Sequence, residues 1–295
     1  MRVFVTGATG GIGSAVVAEL LSAGHQVVGL ARSDASAQRL TAAGASAVPG
    51  DLDDVAVLRT GAEQADGVIH LAFSNDFDNF ERGAEQERAA VEVLGDALVG
   101  TGKPLVIASG TPAEPGRLAT EQTPSPVAGP AGGRGRTAQH VVDLAASGVR
   151  SAVVRLPRSV HQAGAAYGFA SLLIEAARRT GVSGYVGDGS QRWPAVHRLD
   201  AAVLFRLALE HAEPGTVLHA VADEGDTMLS IAETIGRALD VPVEPVPAED
   251  YGFLGMIFAV DQPASSALTR ERFGWQPSHP SLLADLAAGS YPHRA

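Results

Sequence analysis

Hydrophobic residues in the first half of the chain alternate between short β-branched runs and longer segments with helical spacing. The runs predict strands and the segments predict helices, because side chains repeat every 2.0 residues along a strand and every 3.6 along a helix. Such alternation predicts an α/β fold with a doubly wound parallel sheet. The predicted strands cover residues 2–6, 26–31, 47–49, 67–71, 104–109 and 149–156. The predicted helices cover residues 14–23, 33–43, 54–62, 82–99 and 137–146.

The alternation is less regular from about Arg158 onward. Loops are expected near residues 162–167 and 186–193, and a helix is expected over residues 228–239. Asp54 and Asp200 each open an Ala/Val/Leu segment, which is typical of N-cap or first-turn residues. We therefore predict a first domain of residues 1–156 together with 195–222, and a smaller second lobe of residues 157–194 and 223–295.

The first predicted strand runs into a turn with glycines at positions 7, 10 and 13, and a helix follows. Glycine there allows a tight turn, close approach of the backbone to a pyrophosphate and close helix–strand packing. The N-terminus of the helix then attracts phosphate. A glycine trio in a surface turn is the alternative, but the strand–turn–helix context favours a bound dinucleotide. The residues predicted to bind it here are Gly7, Thr9, Gly10, Gly11, Ile12 and Gly13.

The end of the second strand favours NADP over NAD. An acidic residue at this place binds the adenosine ribose of NAD, whereas this chain has Ala31 followed by Arg32 and Ser33. The planar guanidinium suits a 2′-phosphate, although Arg32 in a solvated helix start is the alternative and Asp34 weakens the case. Asp51 and Leu52 are expected beside the adenine, with a turn role as the alternative for Asp51.

Composition and charge exclude several classes of protein. The chain has 295 residues, is 45% hydrophobic and carries a formal net charge of -11, which argues against nucleic acid or an anionic membrane surface as partner. It has no cysteine, and its nine histidines contain no HExxH pair, so no metal is expected. No apolar run approaches the roughly 18 residues of a membrane helix. The first strand leaves no room for a signal peptide, so we expect a soluble, cytoplasmic protein with a small-molecule partner.

Several motifs together resemble one superfamily. They are Thr6-Gly7-x-x-Gly10-x-x-Gly13, Asp51-Leu52, His70-Leu71-Ala72, Ile107-Ala108-Ser109, Arg155-Leu156-Pro157, Ser159-Val160-His161, Trp193 to Asp200, and Gly274-Trp275-Gln276-Pro277. The chain resembles the short-chain dehydrogenase/reductase superfamily, in its extended NAD-dependent epimerase/dehydratase branch. The resemblance implies a Rossmann-like sheet, a C-terminal substrate lobe and a homodimer through the helices at 82–99 and 137–146. It also places Leu71, Ala72, Phe73 and Ser109 at the cofactor.

The chain departs from this superfamily at the catalytic pair. Resembling proteins carry Tyr-x-x-x-Lys in the catalytic helix. Lys103 is the only lysine of this chain, and it precedes the strand that should come before that helix. Residues 133–142 read Gly-Arg-Gly-Arg-Thr-Ala-Gln-His-Val-Val, and the usual catalytic Ser/Thr position matches Gly110. Arg134 and Arg136 are candidates for the nicotinamide ribose or phosphates, or are solvated helix-start residues. The chain is therefore expected to keep the cofactor site and to use a different active site.

Another proton donor is then needed to reduce a carbonyl. His161 is the first candidate, because imidazole titrates near neutral pH; a structural histidine bonded to backbone is the alternative. The hydroxyls of Thr111 and Ser109 follow, with a structural role favoured for Ser109. Tyr167 offers a phenol, although a packed aromatic is the favoured reading. Residues 110–133 follow a strand, so they are expected at the carboxyl edge of the sheet, where ligands bind.

The expected substrate pocket combines aromatic and polar side chains. Arg192 is placed to pair with a substrate anion, whereas Trp193 and His197 either line the pocket or pack the lobe. Phe73, Phe77 and Phe80, with the aromatic segment 251–258, indicate an apolar pocket, although core packing is the more common role of such residues. The full set of predicted substrate residues is Phe73, Gly110, Thr111, His161, Tyr167, Arg192, Trp193 and His197.

The favoured function is an NADP(H)-dependent oxidoreductase that reduces a carbonyl, enone or imine of a small hydrophobic metabolite. Loss of the Tyr/Lys pair leaves two alternatives open. One is a non-catalytic NADP(H)-binding sensor or regulator. The other is an epimerase or dehydratase without net redox change, which is disfavoured because that chemistry needs a strong base at the tyrosine position.

Overall fold

A parallel seven-stranded sheet organises the first part of the chain. The structure is a computed structural model that describes residues 1–74, 79–114, 116–129, 132–165 and 168–289. Its strands are β1 (Arg2–Thr6), β2 (Gln26–Ala31), β3 (Ser46–Pro49), β4 (Gly67–His70), β5 (Pro104–Gly110), β6 (Arg150–Leu156) and β10 (Thr216–His219), in the spatial order β10-β6-β5-β4-β1-β2-β3.

Helices connect these strands and cover their apolar faces. They are α1 (Gly11–Ser22), α2 (Asp34–Ala42), α3 (Val55–Gln64), α4 (Phe80–Leu98), α5 (Gly132–Asp143), a 3-10 helix (Leu144–Ser147) and α7 (Arg198–His211). β4 is buried at all four positions, as expected for a central parallel strand covered on both faces. One core cluster contains Phe4, Leu58, Leu94, Leu105 and Val153.

The second part of the chain forms two small sheets with helices. Its strands are β7 (Ser159–His161), β8 (Ser183–Tyr185), β9 (Arg192–His197), β11 (Asp223–Thr227) and β12 (Val243–Pro245). Its helices are α6 (Gly168–Thr180), α8 (Met228–Leu239), a 3-10 helix (Ala248–Tyr251), α9 (Phe253–Phe258), α10 (Ala267–Phe273) and α11 (Leu282–Ala287). The sheets have the orders β11-β9-β7 and β12-β8. Trp193, Phe258, Ile231 and Leu282 belong to the core of this part.

Contacts divide the chain into two units. The sheet unit comprises Met1–Ser109, Pro124–Arg155 and Ala201–Leu218, and the C-terminal unit comprises Gly110–Thr123, Leu156–Asp200 and His219–Ala295. The boundary differs from the sequence-based one, because residues 110–123, 156, 195–200 and 219–222 lie in the C-terminal unit. β9 pairs with β7 and β11, and Ala119 exchanges backbone hydrogen bonds with the 263–265 segment, which explains the difference.

The helix and strand predictions succeed where periodicity is strong. α8 spans residues 228–239 as predicted. α1 starts at Gly11, three residues before the predicted start, and the prediction missed its first turn because that turn carries glycines. Asp54 is the N-cap residue of α3, but its carboxylate accepts the Asp51 N–H at 3.0 Å instead of capping the helix. None of the described helices is long and apolar enough to span a membrane.

Candidate functional site

The glycine corner (residues 6–14) joins β1 to α1. Gly7 has a φ of 67°, and a Cβ built there would lie 2.6 Å from the Ala72 nitrogen. A Cβ on Gly13 would lie 2.0 Å from the Gly7 carbonyl oxygen, and Gly10 N–H donates to the same oxygen at 3.0 Å. Side chains are therefore excluded by the backbone itself, which is the close packing that a dinucleotide cradle requires.

The N-terminus of α1 suits an anion. Its N-cap residue is Gly10, which supplies no side-chain oxygen to the first N–H groups of the helix. The first intrahelical bond runs from Ser14 N–H to the Gly10 carbonyl at 3.0 Å. N–H groups at a helix start and the positive end of the helix dipole attract phosphate. Gly11, Ile12 and Gly13, which the sequence analysis assigned to the turn before the helix, form this first helical turn.

A buried histidine fastens the end of β4 to the corner. His70 Nδ1 lies 2.9 Å from Thr6 Oγ1, and Leu71 N–H donates to the Thr6 carbonyl at 3.2 Å. Burial, assisted by the charge of Arg134, lowers the pKa of His70 to about 4. The imidazole is thus neutral at pH 7, and His70 positions Leu71 and Ala72 rather than carrying charge.

The end of β2 has the composition that the sequence indicates. Ala31 is buried and Arg32 is exposed. The Ser33 hydroxyl caps α2, since it accepts Ser36 N–H at 3.2 Å, and it also lies 3.1 Å from Ser36 Oγ. Arg39 donates to Ser36 Oγ at 3.3 Å. Two arginines and two hydroxyls therefore come from residues 32–39, which include the start of α2 and reach its last turn.

Asp51 takes part in a turn after β3. Its carboxylate accepts Asp53 N–H at 2.8 Å, which is the turn role considered for it. Leu52 packs against the core of the sheet unit. This hydrogen bond uses Oδ1 of Asp51, and a carboxylate can accept further bonds through its second oxygen.

The start of α5 contains neither tyrosine nor lysine among its described residues. Arg134 forms an ion pair with buried Glu87, with Nη2–Oε1 at 2.8 Å and Nε–Oε2 at 3.0 Å, and it donates to the Ala108 carbonyl at 3.1 Å. Its guanidinium lies 4.2 Å from the Phe73 ring centroid. Burial raises the pKa of Glu87, and the charge of Arg134 opposes that rise.

These contacts show that Arg134 is not a solvated helix-start residue, whereas Arg136 is exposed near the start of α5. Arg134 is committed to Glu87, and Arg136 donates to the Val127 carbonyl at 2.7 Å. Lys103 donates to the Glu63 carbonyl at 2.8 Å. It precedes β5, whereas the glycine corner follows β1. Because these strands are parallel, Lys103 lies at the N-terminal ends of the strands and the glycine corner at their carboxyl ends.

The end of β5 carries the two predicted hydroxyls. Ser109 and Thr111 are buried, whereas Gly110 between them is exposed. Thr111 N–H donates to the Leu156 carbonyl at 2.9 Å, and its own carbonyl accepts Gln262 Nε2. The Thr111 hydroxyl lies 3.5 Å from the same amide nitrogen. Thr111 is therefore fixed by a glutamine that sequence analysis did not single out.

His161 ends β7 and is paired with an aspartate. Its Nδ1 donates to Asp285 Oδ2 at 2.7 Å, and the same oxygen accepts Ala163 N–H at 3.0 Å. His161 is 2% exposed, and its buried Nε2 has no hydrogen-bond partner among the described residues. Burial lowers the pKa of His161, opposed by Asp285. The backbone partner considered as the alternative is thus replaced by a carboxylate, which fixes the tautomer.

Two further histidines continue from His161, and we call His161, His197 and His279 the histidine row. β7 and β9 pair in parallel with His161 opposite His197, and their ring centroids are 5.6 Å apart. His279, which is exposed, stacks on His197 with a centroid distance of 4.6 Å. Burial lowers the pKa of His197 to about 4. The row therefore reaches from a buried base to the protein surface.

Asp200 anchors the exposed end of the row. It lies in the first turn of α7, but its oxygens accept Ser278 N–H at 3.0 Å, His279 N–H at 3.1 Å and His279 Nδ1 at 2.8 Å. Ligand atoms of His197, Asp200 and His279 lie within 4.8 Å of one another, close enough to hold a metal. Both oxygens of the Asp200 carboxylate already accept hydrogen bonds from protein groups.

The predicted anion partner, Arg192, is engaged within the protein. Its Nε and Nη2 donate to the two carboxylate oxygens of Asp261 at 3.1 and 2.8 Å. Its backbone N–H donates to Asp261 Oδ1 at 2.7 Å. Trp193 is fully buried and packs on Phe169 and Phe258, which is the packing role considered for it. Tyr167 and Phe77 lie outside the described residues.

Sequence reasoning missed three polar residues. Asp285 lies 124 residues after its partner His161, in a short helix whose leucines Leu282 and Leu286 indicate only core packing. Gln262 and Arg158 bond to each other, and Arg158 follows the Arg-Leu-Pro motif directly. A basic residue at the end of a sheet strand was the one signal that pointed to this group.

Comparison with known proteins finds one family model that matches most of the chain. The family described as "NAD dependent epimerase/dehydratase family" matches residues 3–221. An uncharacterized protein of Schizosaccharomyces pombe is 44% identical over 299 residues, covering 99% of this chain and 100% of the relative.

Solved structures share the fold over nearly the whole chain. The UDP-glucose 4-epimerase of Thermotoga maritima with UDP-glucose has a TM-score of 0.80 at 21% identity, covering 98% of this chain and 97% of that one. A dTDP-glucose 4,6-dehydratase of Streptomyces venezuelae with NAD bound also has a TM-score of 0.80, at 19% identity and with 98% and 96% coverage. These likenesses confirm the Rossmann-like α/β fold expected from the sequence.

Proposed function

The chain belongs to the NAD dependent epimerase/dehydratase family, and from that membership we propose that it is an NADP(H)-dependent oxidoreductase. Its proposed reaction is reduction of a carbonyl, enone or imine in a small hydrophobic metabolite. The observation that carries the proposal is the glycine corner followed, at the end of β2, by Ala31 and Arg32 in place of an acidic residue.

The residues of the sheet unit fit a doubly phosphorylated cofactor. The corner excludes any Cβ at Gly7 and Gly13 and presents a helix start without a side-chain cap, so it suits the pyrophosphate. Arg32 and Ser33 would bind the 2′-phosphate, and Asp51 with Leu52 the adenine. Leu71, Ala72, Phe73 and Ser109 complete the proposed cofactor site. When bound, the cofactor supplies a hydride to the substrate.

The product oxygen or nitrogen also needs a proton, and His161 is the proposed donor. Asp285 holds its Nδ1–H, so Nε2 is the nitrogen that exchanges a proton. At neutral pH the lowered pKa leaves Nε2 unprotonated, which suits the oxidative direction. Reduction needs the imidazolium form of His161, so it should be favoured as pH falls. Thr111 and Ser109 are the proposed hydrogen-bond donors to the substrate oxygen.

A non-catalytic NADP(H) sensor is the second candidate. Two observations favour it: the described part of α5 has no Tyr/Lys pair, and His161 is buried. A sensor binds oxidised and reduced cofactor with different affinities and turns over no substrate. The homodimer through α4 and α5 and the cytoplasmic location remain predictions.

Calorimetry with NADPH, NADP⁺ and NAD⁺ tests the cofactor assignment. We expect NADP(H) to bind more tightly than NAD⁺, and Arg32→Glu to weaken NADPH binding about tenfold or more, because it replaces a charge-assisted bond by repulsion. Arg59→Glu, an equal charge change at an exposed position of α3, is the matched control. If neither coenzyme binds the wild-type protein, the proposed function is wrong.

Turnover then separates the two candidates. An oxidoreductase should oxidise NADPH in the presence of a member of a panel of aromatic and aliphatic aldehydes, ketones, enones and imines. Tight NADPH binding without turnover across that panel would favour the sensor instead.

A further inference from the structure

Arg158 lies between β6 and β7 in the C-terminal unit, outside every site assigned above. Its Nη2 donates to Gln262 Oε1, and Gln262 Nε2 donates in turn to the Thr111 carbonyl. The buried Nε of Arg158 has no hydrogen-bond partner among the described residues. A planar group with five donors is thus anchored on one side and keeps a buried donor unused.

The charge of Arg158 also lacks a counterpart. Burial is the one cause that lowers its pKa, to about 10, so the guanidinium stays charged at neutral pH. Within the described part of the chain, no carboxylate forms an ion pair with it. Arg192, by contrast, is neutralised by both oxygens of Asp261. Removing a cation from water without a partner is costly, and an anionic ligand would offset that cost.

The surroundings of Arg158 are apolar and aromatic. Its guanidinium carbon lies 5.6 Å from the Phe169 ring centroid and 5.8 Å from that of Trp193. Phe169 is partly exposed, whereas Trp193 is fully buried. A low-dielectric wall strengthens a charge-assisted bond to a ligand and favours an apolar group next to its charge.

We propose that Arg158 binds the anionic oxygens of the substrate, a carboxylate or a phosphate attached to an apolar or aromatic body. Guanidinium geometry suits either group, because two parallel N–H donors match two oxygens. Gln262 positions the guanidinium and links it to Thr111, so that anion binding and the Thr111 segment are connected. Arg192, the residue expected from sequence to meet the anion, instead stabilises the C-terminal unit through Asp261.

This inference rests on the proposed function only in assigning the anion to a substrate. Its test therefore measures anion binding directly, with and without NADP⁺. If NADPH binds and no anion does, the inference fails and the proposed function stands. If anions bind and no coenzyme does, the proposed function fails and Arg158 still marks an anion site.

The probes are benzoate, phenyl phosphate and uncharged benzamide, titrated calorimetrically into the full-length protein. We expect at least one anion to bind measurably more tightly than benzamide, and the preferred anion identifies carboxylate or phosphate as the recognised group. Arg158→Met should weaken that binding about tenfold or more, as expected for loss of a charged hydrogen-bond partner. Arg158→Lys should keep part of the anion binding, because the positive charge remains while the paired N–H donors of the planar guanidinium are lost.

Arg192→Met is the matched comparison, since it removes an arginine of the same unit that already has a carboxylate partner. We expect it to leave anion affinity within about twofold, less than the roughly tenfold loss expected for Arg158→Met. Melting temperature and NADPH affinity identify any variant that fails to fold, and Arg158→Gln then replaces Arg158→Met. Equal binding of benzoate, phenyl phosphate and benzamide, or loss of binding in Arg192→Met alone, would overturn the assignment.

Discussion

The glycine corner and the histidine row are built in opposite ways. The corner lies within residues 6–14, and its geometry comes from backbone atoms, as the clash of a Gly13 Cβ with the Gly7 carbonyl shows. The row draws side chains from β7, β9 and the segment before α11, and His161 bonds Asp285 of α11 across 124 residues. A site made by consecutive backbone can be recognised in a sequence, whereas a site made by distant side chains cannot.

The two regions also differ in charge. The corner offers the positive end of a helix and leaves its negative partner to be supplied by a ligand. In the row, the hydrogen-bond partners lie within the protein, since Asp285 accepts from His161 and Asp200 accepts from His279. Substitutions in the corner should therefore act on cofactor binding, and substitutions in the row on proton transfer and acid stability.

Gly13→Ala should have the largest effect. Its methyl group would lie 2.0 Å from the Gly7 carbonyl oxygen, so the turn must open, at a cost of about 3 kcal/mol or more. We expect NADPH binding to be lost and the melting temperature to fall. Gly110→Ala adds the same atom where nothing lies within 4 Å, and its melting temperature should be unchanged. Normal NADPH affinity in Gly13→Ala would show that the corner does not bind the cofactor.

His161→Phe should lower turnover about tenfold or more, the usual contribution of a positioned acid or base. Because Asp285 would then be buried without its partner, the double variant His161→Phe, Asp285→Leu serves as the folded control. Both should bind NADPH normally. In the wild type, the reductive rate should rise as pH falls toward the lowered pKa of His161, since reduction consumes the imidazolium. Full turnover in a folded double variant would assign proton transfer to another residue.

The smallest expected effect is on stability in acid. The pKa of His197 is lowered from 6.5 to about 4 by burial, so the folded state binds fewer protons than the unfolded chain between these values. The contribution of His197 to the free energy of unfolding should therefore be constant above pH 6.5. It should decrease as pH falls from 6.5 toward 4. Urea unfolding at several pH values should show a shallower decrease in His197→Phe. An identical slope in the variant would mean that His197 titrates normally.

His70 provides the same test in the sheet unit. Its pKa is also lowered to about 4, but it lies next to the glycine corner, bonded to Thr6. His70→Phe should flatten the acid slope as His197→Phe does, and in addition weaken NADPH binding by displacing Leu71 and Ala72. Cofactor affinity thus distinguishes two histidines that titrate alike.

Much of the sheet unit could be predicted because its signals are local. Period-2 and period-3.6 patterns located its strands and helices within a few residues, as β1, β2 and α4 show. The assignment of residues 110–123 failed because their partners, Leu156 and residues 263–265, are far along the chain. The roles of Arg134 and Arg192 were missed for the same reason, since Glu87 and Asp261 give no sign of pairing in the sequence.

The amino-acid sequence by itself determined the α/β order of elements, the glycine corner and the absence of a Tyr/Lys pair, because each depends on neighbours within a few residues. Tertiary structure alone decided which charges are neutralised. It paired Arg192 with Asp261, and it left Arg158 with a buried Nε and, among the described residues, no carboxylate partner. The physical reason is that burial and pairing energies depend on distances through space, which a linear pattern does not record.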